Sequence, residues 1–397
     1  MVAPMNRRQF VQSTSALVAG LAASAKSIAA DEPAAEEKPP IIPVVMAPRK
    51  DGVEIIWRVG SYKKGHVEYG ETEELGSVQR NNGWGLRPAG DMAIRVKLDG
   101  LKPGTKYFYR IVTESFSPKS PKTSKGEIRS FKTLDPDQKE TSFTVWNDTH
   151  QQAETLKKLT EITPASDFLL WNGDICNDWR SEKEIVETLL APEGLDFTKD
   201  SPLCMVRGNH DLRGSVAAQL QDYAAMPEDK PWFAFRSGPI AVICMDTGED
   251  KPDDHPYLFG RVACEPMREE QAEWLAEIIE KPEFKDAPFR LVFCHIPLRW
   301  TDESTDKGYD HFSKRSRDLW HESLVKWGTQ AIISGHTHRP TLIPANKDFP
   351  YAQLVGGGPK LSQATLIQGT AKGNKLSLIS KDLEGNTKHE ISFKGLS

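Results

Sequence analysis

Five strand-like runs between residues 141 and 338 each end abruptly on a polar cluster. They are VWNDTH (Asp148, His150), LWNGDICND (Asp174, Asn177, Asp178), MVRGNHD (Asn209, His210, Asp211), VFCHIP (His295) and IISGHTHRP (His336, His338). Apolar runs this short, bounded by turn residues, read as buried strands. Helical patterns separate them: QQAETLKKLTEI, SEKEIVETLL, SVAAQLQDYAA and EPMREEQAEWLAEIIEK. Alternating strands and helices imply an α/β fold around a largely parallel sheet. In such a sheet the carboxyl ends of the strands share one side, and ligands bind there. No other feature constrains the chain as much, because it predicts that all five clusters meet. Five of the ten histidines fall within them.

Carboxylate, imidazole and amide oxygen together suit a hard or borderline ion such as Zn, Mn or Fe, and not a soft thiolate site. The supply of donors exceeds what one ion needs, so a dinuclear centre with a bridging carboxylate is expected. Glycines precede three of the clusters (Gly173, Gly208, Gly335), where the backbone must turn tightly or approach closely. The cysteines, Cys176, Cys204, Cys244, Cys264 and Cys294, are odd in number and lack metal-ligand spacing; they read as buried core thiols. In EPMREEQAEWLAEIIEK, the stripe Met267, Trp274, Leu275 and Ile278 reads as core.

Residues 41–135 read as all-β. GVEIIWRV, DMAIRVKL, GLKPGTKYFYRIVT and EIRSFKTL are strand patterns at the spacing of a sandwich. Residues 134–141 form the boundary, and the second domain is expected over 141–397. From about Thr341 the tail is strand-rich again. At the N-terminus, Arg7 and Arg8 precede an uncharged stretch and the small-residue exits ASA and SIA. This resembles an export signal of the twin-arginine type, expected over 1–30, with Asn6 and Val11 at positions where that pattern usually has Ser or Thr and Leu. A charged, proline-rich linker, 31–40, follows, and no later apolar run is long enough to span a bilayer. The expected location is therefore periplasmic or extracellular. The net charge of −5 leaves no basic footprint for nucleic acid. Removing residues 1–30 takes three positive charges and no acids, which makes the remainder more acidic still.

The ordered set DTH, GD, GNHD, CH and GHTH resembles the calcineurin-like metallophosphoesterase superfamily. With a β-sandwich in front, the chain resembles the bacterial relatives of purple acid phosphatases, and Leu101, Pro103, Thr105 and Tyr107 resemble the tyrosine corner of a fibronectin type III domain. The resemblance implies a four-layer αββα sandwich whose second sheet the tail completes. It implies that Asp148, His150 and His338 bind one ion, that Asp174 bridges, and that Asn209, His295 and His336 bind a second. Purple acid phosphatases carry a tyrosine three residues after the bridging aspartate, where this chain has Asn177. A colourless or weakly coloured centre is expected.

Two divalent or trivalent ions (Fe, Zn or Mn) sharing a water would lower its pKa and direct a hydroxide at phosphorus. His210 stands beside a ligand and is the candidate general acid, with Asp178 or Asp211 to orient it. Arg299 and Arg207 are candidate contacts for phosphate oxygens. Segments 247–264 and 299–314, with His255 and His311, are candidates for the rim. The expected activity is hydrolysis of phosphate monoesters. A phosphodiesterase acting on nucleotides or lipid headgroups is the alternative, and a non-catalytic surface-binding relative a third reading.

Overall fold

The computed structural model describes residues 41–80, 85, 86, 89–117, 119–300 and 309–396. The expected export signal and linker, residues 1–40, lie outside the described residues, as does the side chain of His311.

Nine strands come first: β1 (Val44–Arg49), β2 (Gly52–Arg58), β3 (Lys63–Gly70), β4 (Ser77–Gln79), β5 (Ala89–Gly90), β6 (Ala93–Leu98), β7 (Lys106–Ser115), β8 (Thr123–Lys125) and β9 (Arg129–Lys132). They make two facing layers, β1, β2 and β6 against a sheet built on β3 and β7. Their alternating apolar residues interdigitate: Val53, Ile55, Trp57 and Val96 meet Val67, Tyr109, Ile111 and Phe131. The Tyr107 hydroxyl accepts from the Lys102 N–H at 3.0 Å and pins the turn before β7.

The α/β part opens with β10 (Glu140–Trp146), α1 (Ala153–Ile162), β11 (Phe168–Asn172), α2 (Glu182–Leu189), β12 (Leu203–Val206) and α3 (Leu220–Tyr223). It continues with β13 (Phe233–Ser237), β14 (Ile240–Met245), α4 (Cys264–Ile278), α5 (Pro282–Lys285), β15 (Phe289–Cys294), α6 (Tyr309–Trp327) and β16 (Ala331–Ser334). The tail adds β17 (Thr341–Ile343), β18 (Ala352–Val355), β19 (Thr365–Lys372), β20 (Lys375–Asp382) and β21 (Thr387–Lys394). SVAAQLQDYAA does not make the full helix its pattern suggests. It is a 3-10 turn, Ala217–Gln219, followed by the single turn of α3.

Strands β10, β11 and β12 pair in parallel, with Trp146 beside Trp171 and Asn172 beside Val206. Strands β14, β15, β16 and β18 form the parallel part of the second sheet. Phe143, Val145, Phe168, Leu170, Cys204 and Val206 from the first sheet pack on Val242, Cys244, Leu291, Phe293 and Ile333 from the second. Outside the first sheet, Leu156, Leu159, Ile185 and Leu189 of α1 and α2 cover Trp146 and Trp171. Outside the second, Leu275, Trp320 and Leu324 of α4 and α6 cover Ile243 and Val292. The result is the expected αββα sandwich. All five cysteines are buried and free.

Two features depart from expectation. The tail does not go wholly to the second sheet. Strands β17 and β18 do, but β19, β20 and β21 extend the first sheet beyond β10. Gly356–Gly358 carries the crossover, where a Cβ on Gly357 would lie 1.9 Å from the Gln363 carbonyl. The boundary at 134–141, moreover, divides the chain but not the sheet. One nine-stranded sheet runs β21-β20-β19-β10-β11-β12-β1-β2-β6. Strand β1 therefore serves two cores: Val44 and Met46 face the helices, and Val45 faces the β-sandwich. Among the described residues, no helix is long and apolar enough to cross a membrane.

Candidate metal centre

The five parallel strands β10, β11, β12, β15 and β16 deliver the five polar clusters, and hydrogen bonds tie these together. The N–H groups of Asp148, His150 and Gln151 donate to the carbonyls of Gly173, Asp174 and Ile175 at 2.8–3.1 Å, so β10 and β11 stay paired past their ends. Asn172 joins the two sheets. Its Nδ2 lies 3.3 Å from the Cys294 carbonyl and 3.2 Å from the Ile333 carbonyl, and its own carbonyl accepts from His295 Nδ1 at 2.9 Å.

The backbone is held in an unusual state here. Asp148 (φ 46°), His150 (φ 43°), Asp174 (φ 49°), His336 (φ 70°) and His338 (φ 56°) all lie in the left-handed region. Side-chain-bearing residues avoid that region, and such strain concentrates where function requires a fixed geometry. The preceding glycines allow close approach. A Cβ on Gly208 would sit 2.3 Å from Asp174 N, and one on Gly335 would sit 2.2 Å from Asp148 Oδ2.

The side chains expected as ligands converge. Donor atoms of Asp148, His150, Asp174 and His338 lie within 4.8 Å of one another, as do those of Asp174, His295 and His336. Asp174 belongs to both groups. Asn209 joins the second group, with its Oδ1 at 2.9 Å from His336 Nδ1. His150 Nε2 and His338 Nε2 face each other at 3.2 Å. That is close to the roughly 3.3 Å that separates two nitrogens on one tetrahedral ion at Zn–N distances. Asp148, Asp174, Asn209 and His295 are almost fully buried.

The electrostatics favour a cation. Burial works against charge on His295, yet Asp174 and Asp148 outweigh it and raise the imidazole to about 10. Burial and the neighbouring His295 lower His336 to about 3. Asp174 is held far below the usual carboxylate range by His295, His210 and His150, although burial opposes this. Two buried carboxylates thus stabilise positive charge between the imidazoles, but not a proton on each. Among the described residues the buried His295 Nε2 makes no hydrogen bond and faces Asp174 Oδ1 at 3.2 Å, while Nδ1 is engaged by the Asn172 carbonyl. The nitrogen left over is the one suited to an ion. Donor chemistry, spacing and charge all fit two metal ions.

His210 stands at the mouth, half-exposed, its ring edge-on to that of His150 at 4.9 Å. Its N–H holds Asp174 Oδ1 at 3.0 Å, and its Nδ1 donates to the Asn177 carbonyl at 2.7 Å. Neither Asp178 nor Asp211 orients it. Asp178 lies by Arg180 and, at 3.5 Å, by the Tyr257 hydroxyl. Asp211 is a buried turn carboxylate that accepts from the N–H groups of Gly208 and Ile175. Burial, with the charge of Asp174, pushes Asp211 up to about 7.

The two arginines expected at the substrate are engaged elsewhere. Arg207 pairs with the buried Asp246 at 2.7 Å. Arg299 is 4% exposed, donates to the carbonyls of Pro344 and Tyr351, and packs on Phe349. Each neutralises or ties down a neighbouring segment. The arginine that does reach the site is Arg213. Its Nη1 lies 3.0 Å and 3.3 Å from the two ring nitrogens of His210. An atom so nearly equidistant from both sits over the ring, not in line with either lone pair. Arg213 is gripped by Glu249 and Asp250. The fully buried Arg268 of α4 holds that segment through the carbonyls of Thr247 and Glu249. Gln271 holds Asp246 N at 2.8 Å. Of the helix stripe expected to be core, Leu275 and Ile278 are buried while Met267 and Trp274 are half-buried, and the buried Arg268 and Gln271 beside them make this face of α4 partly a polar brace. Tyr257 covers Arg213 from outside at 5.5 Å, and His255 caps its turn, which places segment 247–264 at the rim.

A family model for calcineurin-like phosphoesterases matches residues 141–340. Mouse (Mus musculus) serine/threonine-protein phosphatase CPPED1 is 27% identical over 198 residues, covering 48% of this chain and 58% of the relative. Purple acid phosphatase 21 of Arabidopsis thaliana is 24% identical over 250 residues, covering 61% and 51%. The chain thus spans little more than half the length of these relatives. In fold it resembles purple acid phosphatase PPD1 from yellow lupin (Lupinus luteus) seeds, with a TM-score of 0.67 at 14% identity over 89% of this chain and 74% of that one. It also resembles PhoD, with a TM-score of 0.64 at 12% identity over 90% and 91%. The matched segment takes in all five clusters and about half of the chain, and the chain belongs to the calcineurin-like phosphoesterase family.

Proposed function

We propose that this protein hydrolyses phosphate monoesters at a dinuclear metal centre. In this reading Asp148, His150 and His338 hold one ion, Asn209, His295 and His336 the other, and Asp174 both. The shared place of Asp174 in the two donor groups is the observation that carries it. When bound, such ions activate water and neutralise charge on the phosphoryl oxygens. The protein's own part is to hold the donors. The Asn172 carbonyl and the Asn177 amide oxygen fix the tautomers of His295 and His150. Asn209 and Asn177 are neutral, which limits the negative charge a phosphate dianion must approach. His210 keeps one proton on Nδ1, donated to the Asn177 carbonyl, and presents Nε2 to the leaving oxygen as its acid.

Reconstitution with Mn, Zn or Fe, followed by assays on nitrophenyl phosphate and bis(nitrophenyl) phosphate, tests the reading. We expect about two ions per chain, weak or no colour, and at least a hundredfold preference for the monoester. A preference for the diester would move the assignment to a phosphodiesterase. Inactivity on both with the ions in place would make the protein a binding relative.

Export by the twin-arginine route is part of the same proposal and rests on Arg7, Arg8 and Phe10. Replacing both arginines by lysine should leave the protein in the cytoplasmic fraction at its full length. Unchanged processing would remove this assignment.

A further inference from the structure

Asn177 sits at the junction of the metal centre and the acid. Its Oδ1 lies 3.0 Å from His150 Nδ1, and its carbonyl oxygen lies 2.7 Å from His210 Nδ1. A carbonyl only accepts, so His210 Nδ1 carries a proton. His150 Nε2 faces Asp174 Oδ2 at 3.4 Å and His338 Nε2 at 3.2 Å, the direction in which an ion is held. The proton of His150 is then on Nδ1, and Asn177 must turn its oxygen toward it. That fixes the other end of the amide. Nδ2, with two N–H donors, points away from His150, and it makes no hydrogen bond to any described residue. Asn177 is exposed, and the half-exposed His210 lies next to it.

A phosphate monoester brings several charged oxygens to this mouth. The guanidinium groups of Arg207, Arg213 and Arg299 all have partners within the protein. We propose that Asn177 orients His150 through Oδ1 and donates from Nδ2 to a phosphoryl oxygen of the substrate, the part for which an arginine was expected. Asn177 is thereby a positioning residue for the first ion and a substrate-binding residue in its own right. The inference rests on the dinuclear reading above.

Two variants separate the two parts. Asn177→Asp keeps an acceptor for His150, removes both donors and faces the phosphate with a negative charge. Asn177→Leu removes acceptor and donors together. The backbone carbonyl that holds His210 survives in both. Metal content after dialysis against graded chelator reads the orienting role. Binding of inorganic phosphate to the metal-loaded protein by calorimetry, with KM and kcat measured separately, reads the donor role. Asn177→Asp should keep both ions, bind phosphate about tenfold or more weakly, as expected for loss of a hydrogen bond to a charged group, and raise KM more than it lowers kcat. Asn177→Leu should lose one of the two ions at a chelator concentration that the native protein and Asn177→Asp both withstand. Native phosphate affinity in Asn177→Asp would overturn the donor role. Native retention of both ions in Asn177→Leu would overturn the orienting role. Both readouts are independent of turnover. A native protein that binds two ions and phosphate but hydrolyses no monoester would refute the proposed function while leaving this inference testable.

Discussion

Asp174→Asn should abolish the dinuclear centre while sparing the fold. The substitution is isosteric, and asparagine tolerates the left-handed backbone that Asp174 adopts (φ 49°). An amide oxygen can still accept from the His210 N–H, now at 3.0 Å. What disappears is the one charge shared by both donor groups. We expect metal content to fall from about two ions per chain to one or fewer. The monoesterase kcat/KM should fall by at least about a thousandfold, the upper end of what removing one preorganised electrostatic group costs. A third readout is independent of turnover. An ion that binds only the folded protein stabilises it by about 2.7 kcal/mol at a hundred times its Kd. Native protein should therefore melt at a higher temperature when Mn or Zn is added, and Asp174→Asn should gain clearly less. Two ions and activity within tenfold of native would refute the bridging role.

Much of this site could be read from the sequence because its ligands follow directly on strands. Each strand is a short apolar run, and each donor lies within a few residues of its end. Position along the chain was then enough to place Asp148, Asp174, Asn209, His295 and His336 together. The glycines were legible for a related reason. Gly208 and Gly335 lie so close to the carboxylates they serve that a single added carbon would overlap them. The supports were not legible, because they act across the fold. Asn172 is, in sequence, one more polar residue at a strand end, yet it ties β11 to two strands of the other sheet. Arg213 lies in a turn with no pattern of its own, and its partner Glu249 is 36 residues away. Arg268 and Gln271 sit on the buried stripe of α4, where helical periodicity leads one to expect apolar side chains. The two arginines expected at the substrate depart from expectation for the converse reason. Nearness to a cluster in sequence suggested exposure to the ligand, whereas Asp246 and the Tyr351 carbonyl, distant in sequence, had already taken their charges. Sheet membership is equally hidden. Nothing local in the tail strands tells β18, which joins one sheet, from β19, which crosses to the other.

His210→Ala should show a loss that depends on the leaving group. His210 is not among the clustered ligands, and the interaction that supports Asp174 comes from its backbone N–H, which alanine keeps. Metal content should therefore stay near native. The imidazole itself is poised for one task. Nδ1 is tied to the Asn177 carbonyl at 2.7 Å, so a second proton can go only to Nε2. Arg213 lies over the ring face, and its charge is balanced by Glu249 and Asp250, so it steadies the ring without occupying that in-plane position. Protonated there, His210 can give the proton to a departing oxygen. A nitrophenolate leaves without that help, whereas an alkoxide does not. We expect His210→Ala to cost less than about tenfold on nitrophenyl phosphate and roughly 10²–10⁴-fold on an alkyl phosphate, the range of general acid catalysis. Equal losses on both substrates would assign His210 to binding the phosphoryl group instead. Loss of an ion in the variant would assign it to the metal centre.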